Sequence, residues 1–174
     1  MEVRDALMRF LLCHDKANPP PYSLLRSSPR PNRRSYDIPP PELDISSSHW
    51  PGNDSKYDTV DRSVLPTTES LKLTEERFLV DWHETLVPEI KSGKKVLIAA
   101  HGNTLRALVK HLDGISEDEI TGLNIPTGVP LVYTLDDDLK PIKHEDAIAP
   151  LNGRYLGNQE DIRNRIGAVA AQTK

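Results

Sequence analysis

Histidine is followed by glycine once in the 174 residues, at His101-Gly102. An imidazole can move a proton near neutral pH or stabilise a nearby anion. Its setting is Val96-Leu97-Ile98-Ala99-Ala100-His101-Gly102-Asn103-Thr104-Leu105-Arg106. The five apolar residues read as a strand buried on both faces, and Thr104, Leu105, Leu108, Val109 and Leu112 then recur at helical spacing. The spacing predicts that His101 stands where a strand ends and a helix begins, which in a parallel α/β sheet is the ligand-binding edge. Free N–H groups and the helix dipole favour an anion there. Gly102 would let backbone approach a ligand, and Asn103 is expected to cap the helix. The chemistry implied is a phosphate or carboxylate held beside an imidazole. A lone histidine at a strand end is more often structural than catalytic, so the surrounding sequence has to decide.

A second group able to grip an anion is Arg26, Arg30, Arg33 and Arg34, with no acidic residue before Asp37. Guanidinium groups bind phosphate and carboxylate bidentately. Arg26 and Arg30 read as solvated linker residues, whereas the adjacent Arg33 and Arg34 suit a clamp.

The elements that must position these groups fall into two unequal halves. Ten of the fifteen prolines lie between Pro19 and Pro66. Proline fixes φ and removes a donor, so residues 13–66 are expected to be extended connection without long helices or central strands. Residues 1–12 suit a short amphipathic helix on Val3, Leu7, Phe10 and Leu11. From Thr67 the pattern is regular. Leu71, Phe78, Leu79, Trp82, Leu86 and Ile90 give one face of a helix of roughly six turns, bent or broken near Pro88 and ended by Gly93. Ser116 and Glu119 form a capping-box pattern. Leu131-Val132-Tyr133-Thr134-Leu135 reads as a second strand, turned by the aspartates at 136–138. This order of elements predicts a layered α/β domain of βαβ type.

Composition narrows the function. The chain is long enough for one domain with a substantial core. A net charge of −4 argues against general nucleic-acid binding. A single cysteine, Cys13, permits no internal disulfide and fits a reducing compartment. No apolar run reaches a membrane span, and the charged N-terminal dozen residues do not suit a secretory signal. The expectation is a soluble cytoplasmic protein.

Five strings in order carry a resemblance: Arg33-Arg34-Ser35-Tyr36-Asp37-Ile38-Pro39-Pro40-Pro41, Leu65-Pro66-Thr67-Thr68-Glu69-Ser70-Leu71, Ile98 to Arg106, Leu123-Asn124-Ile125-Pro126-Thr127-Gly128-Val129-Pro130, and Tyr155-Leu156-Gly157-Asn158. Together they resemble the 2,3-bisphosphoglycerate-dependent phosphoglycerate mutases, members of the histidine phosphatase superfamily. The resemblance covers residues 33–174 and leaves 1–32 as an unassigned, divergent segment. The stretch from His144 to Gly153 looks like a small insertion or variant. The resemblance implies a mostly parallel sheet with flanking helices, and here a sheet lacking its N-terminal strand and first catalytic segment. It implies an isomerase of glycolysis that interconverts 3- and 2-phosphoglycerate through phosphohistidine, primed by 2,3-bisphosphoglycerate and needing no metal. By the same resemblance His101 is the histidine that stabilises the phosphoryl group in flight, Gly102 and Asn103 contact substrate, and Arg33 and Arg34 grip it. The tail after Gly157 resembles a segment that closes over the site. Partners would be small phosphorylated three-carbon acids and further copies of the chain, since these mutases usually form dimers or tetramers.

One part of the pattern is missing. The family phosphorylates a histidine in an Arg-His-Gly string at the end of its first strand, and no such string occurs here. Cys13-His14-Asp15 does not match it. The family's Glu-Arg-His-Tyr string, whose glutamate serves as general acid/base, is absent too. A nucleophile is not an optional contribution to covalent catalysis. The chain is therefore expected to be a fragment inactive in mutase turnover, with a non-catalytic metabolite-binding or subunit-pairing role as the alternative.

Overall fold

The computed structural model of the chain describes residues 8–12, 35–48 and 50–171. Its first element is a strand, β1 (Met8–Leu12). Three single 3-10 turns follow at Pro51–Asn53, Ser55–Tyr57 and Arg62–Val64. A long helix comes next as α1 (Leu71–Asp81), a π turn (Trp82–Leu86) and α2 (Val87–Lys91). Then come β2 (Leu97–Ala100), α3 (Gly102–Asp113), α4 (Glu117–Gly122), β3 (Leu131–Leu135), β4 (Pro141–Ile142), β5 (Arg154–Tyr155) and α5 (Gln159–Ala171).

The result is mixed α/β. β1 lies between β2, parallel to it, and β3, antiparallel to it; β4 and β5 both pair antiparallel with β3. Two expectations are corrected here. The sheet is not mostly parallel, since only the β1–β2 pairing runs that way among the described residues. Nor are residues 8–12 of the N-terminal segment helical: they supply a strand, while residues 1–7 lie outside the described residues. Met8-Arg9-Phe10-Leu11-Leu12 is a short apolar run, for which periodicity does not separate helix from strand. Pairing with strands on both sides satisfies its backbone, which a solitary helical turn would leave to water.

The long helix forms where the spacing places it. The Ser70 hydroxyl accepts the Leu73 N–H at 3.2 Å and caps its start. Pro88 cannot donate to the carbonyl four residues back, and its ring crowds that group. The helix responds by widening one turn, and the Val87 N–H reaches the Trp82 carbonyl five residues away. Gly93, at φ 86°, takes the left-handed conformation that stops it. The expected capping box is present: Ser116 Oγ accepts from the Glu119 N–H at 3.2 Å, and Glu119 accepts from the Ser116 N–H at 3.3 Å.

Leu105, Leu108 and Val109 of α3 are wholly buried against Phe78 and Trp82 of the long helix and Leu131, Tyr133 and Leu135 of β3. Each buried leucine contributes about 1.5–3 kcal/mol. The Pro-rich connection contains no α-helix or strand among its described residues 35–48 and 50–66. It is tied down at Trp50, 2% exposed, and at Tyr36, whose carbonyl accepts the Lys72 N–H at 2.9 Å. β2 differs from expectation: Leu97 is 63% exposed and Ala99 is also exposed, while Ile98 is buried. It is an edge strand covered on one face only, because β1 pairs with one side of it and helix packs on one face. No helix among the described residues is long and apolar enough to cross a membrane.

Candidate functional site

β2 ends at Ala100 and α3 begins at Gly102, so His101 is the hinge residue between them. Its backbone is extended (φ −68°, ψ 154°), and it occupies the N-cap position without a side-chain capping bond. The Leu105 N–H donates to the His101 carbonyl at 3.0 Å and starts the helical ladder. The N–H groups of Gly102, Asn103 and Thr104 have no acceptor within the helix. The His101 side chain is exposed, and the first turn of α3 contains no acidic residue. Positive dipole, donors unused within the helix and an exposed imidazole therefore share one end of one helix.

The expected cap is displaced by two residues: His101 holds the position assigned to Asn103, which lies in the first turn. Asn103 Oδ1 accepts a long contact from Arg106 at 3.4 Å, and Arg106 also donates to the Ile120 carbonyl. Arg106 thereby braces the first turn of α3 against the end of α4. Gly102 has ordinary helical backbone.

Arg33 and Arg34 lie outside the described residues. The chain immediately after them is firmly held. The Tyr36 hydroxyl donates to Glu75 Oε2 at 3.0 Å, and Lys110 Nζ pairs with the same carboxylate at 3.2 Å while lying 4.6 Å from the centre of the Tyr36 ring. Burial, reinforced by the Glu75 hydrogen bond and charge, pushes the Tyr36 phenol up to about 12. This three-residue knot joins the Pro-rich connection to α1 and α3, and the sequence alone gave no sign of it.

A second buried knot closes the other end of α3. Asp113 accepts from the Tyr133 hydroxyl and, on its other oxygen, from Asn152 Nδ2 at 2.9 Å and the Asn152 N–H at 3.2 Å. Burial pushes the Asp113 carboxyl up, against the pull of those donors. The stretch from His144 to Gly153 is pinned by it.

A cavity of about 420 Å³ opens between Leu123, Asn124, Ile148, Leu151, Tyr155 and Ile166. Neither His101, Gly102 nor Asn103 lines it.

The β1–β2 register adds what sequence reasoning missed. Leu12 is paired with Ala100 in a parallel ladder, so both strands end at the same edge of the sheet. His14 lies outside the described residues, but it follows Leu12 by two residues. The only available signal was the apolar run that ends at Leu12, just before Cys13-His14. No known protein-family model matches the sequence.

Proposed function

We propose that this chain is a relative of the 2,3-bisphosphoglycerate-dependent phosphoglycerate mutases that binds a small phosphorylated three-carbon acid and does not turn it over. One observation carries the reading. An exposed histidine stands at the N-terminus of α3 with three first-turn N–H groups and no acidic side chain in that turn. The phosphate or carboxylate meets those N–H groups and His101, and Arg33 and Arg34 are the guanidinium partners that the resemblance supplies. Catalysis is excluded from the reading because the Arg-His-Gly and Glu-Arg-His-Tyr strings are missing. The setting is cytoplasmic, with association of copies as in the mutases.

Calorimetric titration with 3-phosphoglycerate tests it. The wild-type chain should bind, and His101→Ala should weaken binding roughly tenfold or more, the value of one hydrogen bond to a charged group. Because His101 makes no capping bond, its removal should change stability by no more than about 0.5 kcal/mol. No binding by the wild type, or equal binding by the variant, overturns the reading.

A second reading has His14, which lies outside the described residues two positions after β1 ends, accept a phosphoryl group from 2,3-bisphosphoglycerate. Against it, Cys13 and Asp15 stand where the mutases have arginine and glycine, and a carboxylate repels the incoming phosphate. The first reading expects no acid-labile phosphohistidine after incubation with the bisphosphate. Labelling that disappears in His14→Ala would establish the second.

A further inference from the structure

We propose that His83 and His111 form a two-ligand site for a borderline divalent metal ion, of which zinc is the probe of choice. His83 is carried on the π turn and His111 on the last turn of α3, two elements that pack side by side. Their ring centres are 5.8 Å apart, with the planes at 88°. Two imidazoles that ligate one ion at about 2.1 Å have ring centres roughly 5 to 6 Å apart, so the pair already spans the required distance. Both residues are exposed, which gives an ion a path and leaves room for its waters.

The surroundings hold the His111 ring in place. Trp82, 2% exposed, presents its ring to His111 at 6.2 Å and 71°, and so supports that ring from the core side. The cation next to it in sequence, Lys110, is held by the Glu75 carboxylate. Imidazole selects zinc, nickel or copper and not magnesium or calcium, which prefer oxygen. Among the described residues no group of three or more histidine, cysteine or carboxylate side chains could hold a metal. The pair therefore supplies two of four tetrahedral positions, and the others stay open to water or an added ligand. An ion so bound would cross-link the long helix to α3 at the end opposite the one that carries His101.

The test is zinc titration of the whole chain by calorimetry, with melting curves recorded in zinc, in zinc plus chelator, and in magnesium. Zinc should bind one per chain at this pair. At a hundredfold excess over its dissociation constant it should raise the melting midpoint by about 5 to 10 °C, reversibly. Magnesium should leave the midpoint unchanged. His83→Asn and His111→Asn should each abolish the shift, whereas His101→Ala and His144→Ala should keep it. Absence of a zinc shift in the wild type overturns the proposal, as does its survival in either His83→Asn or His111→Asn.

Discussion

Replacing Lys110 by methionine isolates the energetics of the knot that ties the Pro-rich connection to the helices. In the wild type, Lys110 Nζ lies 3.2 Å from one Glu75 oxygen and 3.4 Å from the other. The two side chains are only 14% and 10% exposed. Methionine fills the aliphatic volume but leaves the Glu75 carboxylate without its cation. Breaking a buried pair from one side costs about 3–5 kcal/mol. The Tyr36 hydroxyl still donates to Glu75 and some solvent access remains, which places Lys110→Met at the lower end, about 3 kcal/mol. For a chain of this length that is a fall in melting midpoint of roughly 6 to 12 °C. The double variant Glu75→Met/Lys110→Met removes both charges and leaves only the Tyr36 hydroxyl unpartnered, at about 1 kcal/mol. The sign is the sharp part: the double variant should be more stable than the single one. Urea unfolding followed by circular dichroism, with unchanged slopes, measures both. A loss below about 1 kcal/mol for Lys110→Met would mean the pair behaves as a solvated surface bridge. A double variant less stable than the single would refute the desolvation argument outright.

Two further outcomes follow from the other end of α3. Because burial raises the folded-state pKa of Asp113 above its ordinary 3.8, the folded protein holds that proton more tightly than the unfolded chain does. The resulting stabilisation is complete below 3.8 and is lost as pH rises through the folded value. Asp113→Asn should remove that component from the stability–pH curve just above 3.8, and parallel curves for the two proteins would dismiss it. Gly153→Ala would place a Cβ 2.7 Å from the Val132 carbonyl oxygen and 2.8 Å from the Tyr133 ring. Strand backbone does not yield cheaply, so a loss of about 1–3 kcal/mol is expected, and an unchanged melting curve would show that this contact relaxes freely.

The parts that were legible in the sequence are those fixed by local chemistry. Ser116 and Glu119 satisfy each other's backbone donors within one turn, Gly93 stops a helix, and Leu131–Leu135 is a short apolar run rich in strand-forming residues. The strand–histidine–helix junction at His101 was legible for the same reason. The π turn was only half legible: Pro88 announced a defect, but its remedy five residues back depends on how the helix prefers to reroute its bonds. Where long-range partners decide, the reading failed. Met8–Leu12 becomes a strand because two distant strands each offer it an open edge. Leu97 is exposed because nothing among the described residues covers its face of β2, which an apolar run by itself does not disclose. Tyr36, Glu75 and Lys110 are scattered over three segments, and no spacing rule joins them.

The position of β1 has a kinetic consequence. Its two neighbours begin at Leu97 and Leu131, so the sheet closes only after more than eighty intervening residues have been gathered in. Closing a loop of that size carries an entropic cost of about 4 kcal/mol before a single ladder bond repays it. During synthesis the strand emerges before either neighbour exists, and it must remain unpaired until both have been made. Until then β2 and β3 each present a bare edge, open to pairing with another nascent chain. Folding yield should therefore depend on protein concentration more steeply than the modest size of the domain suggests.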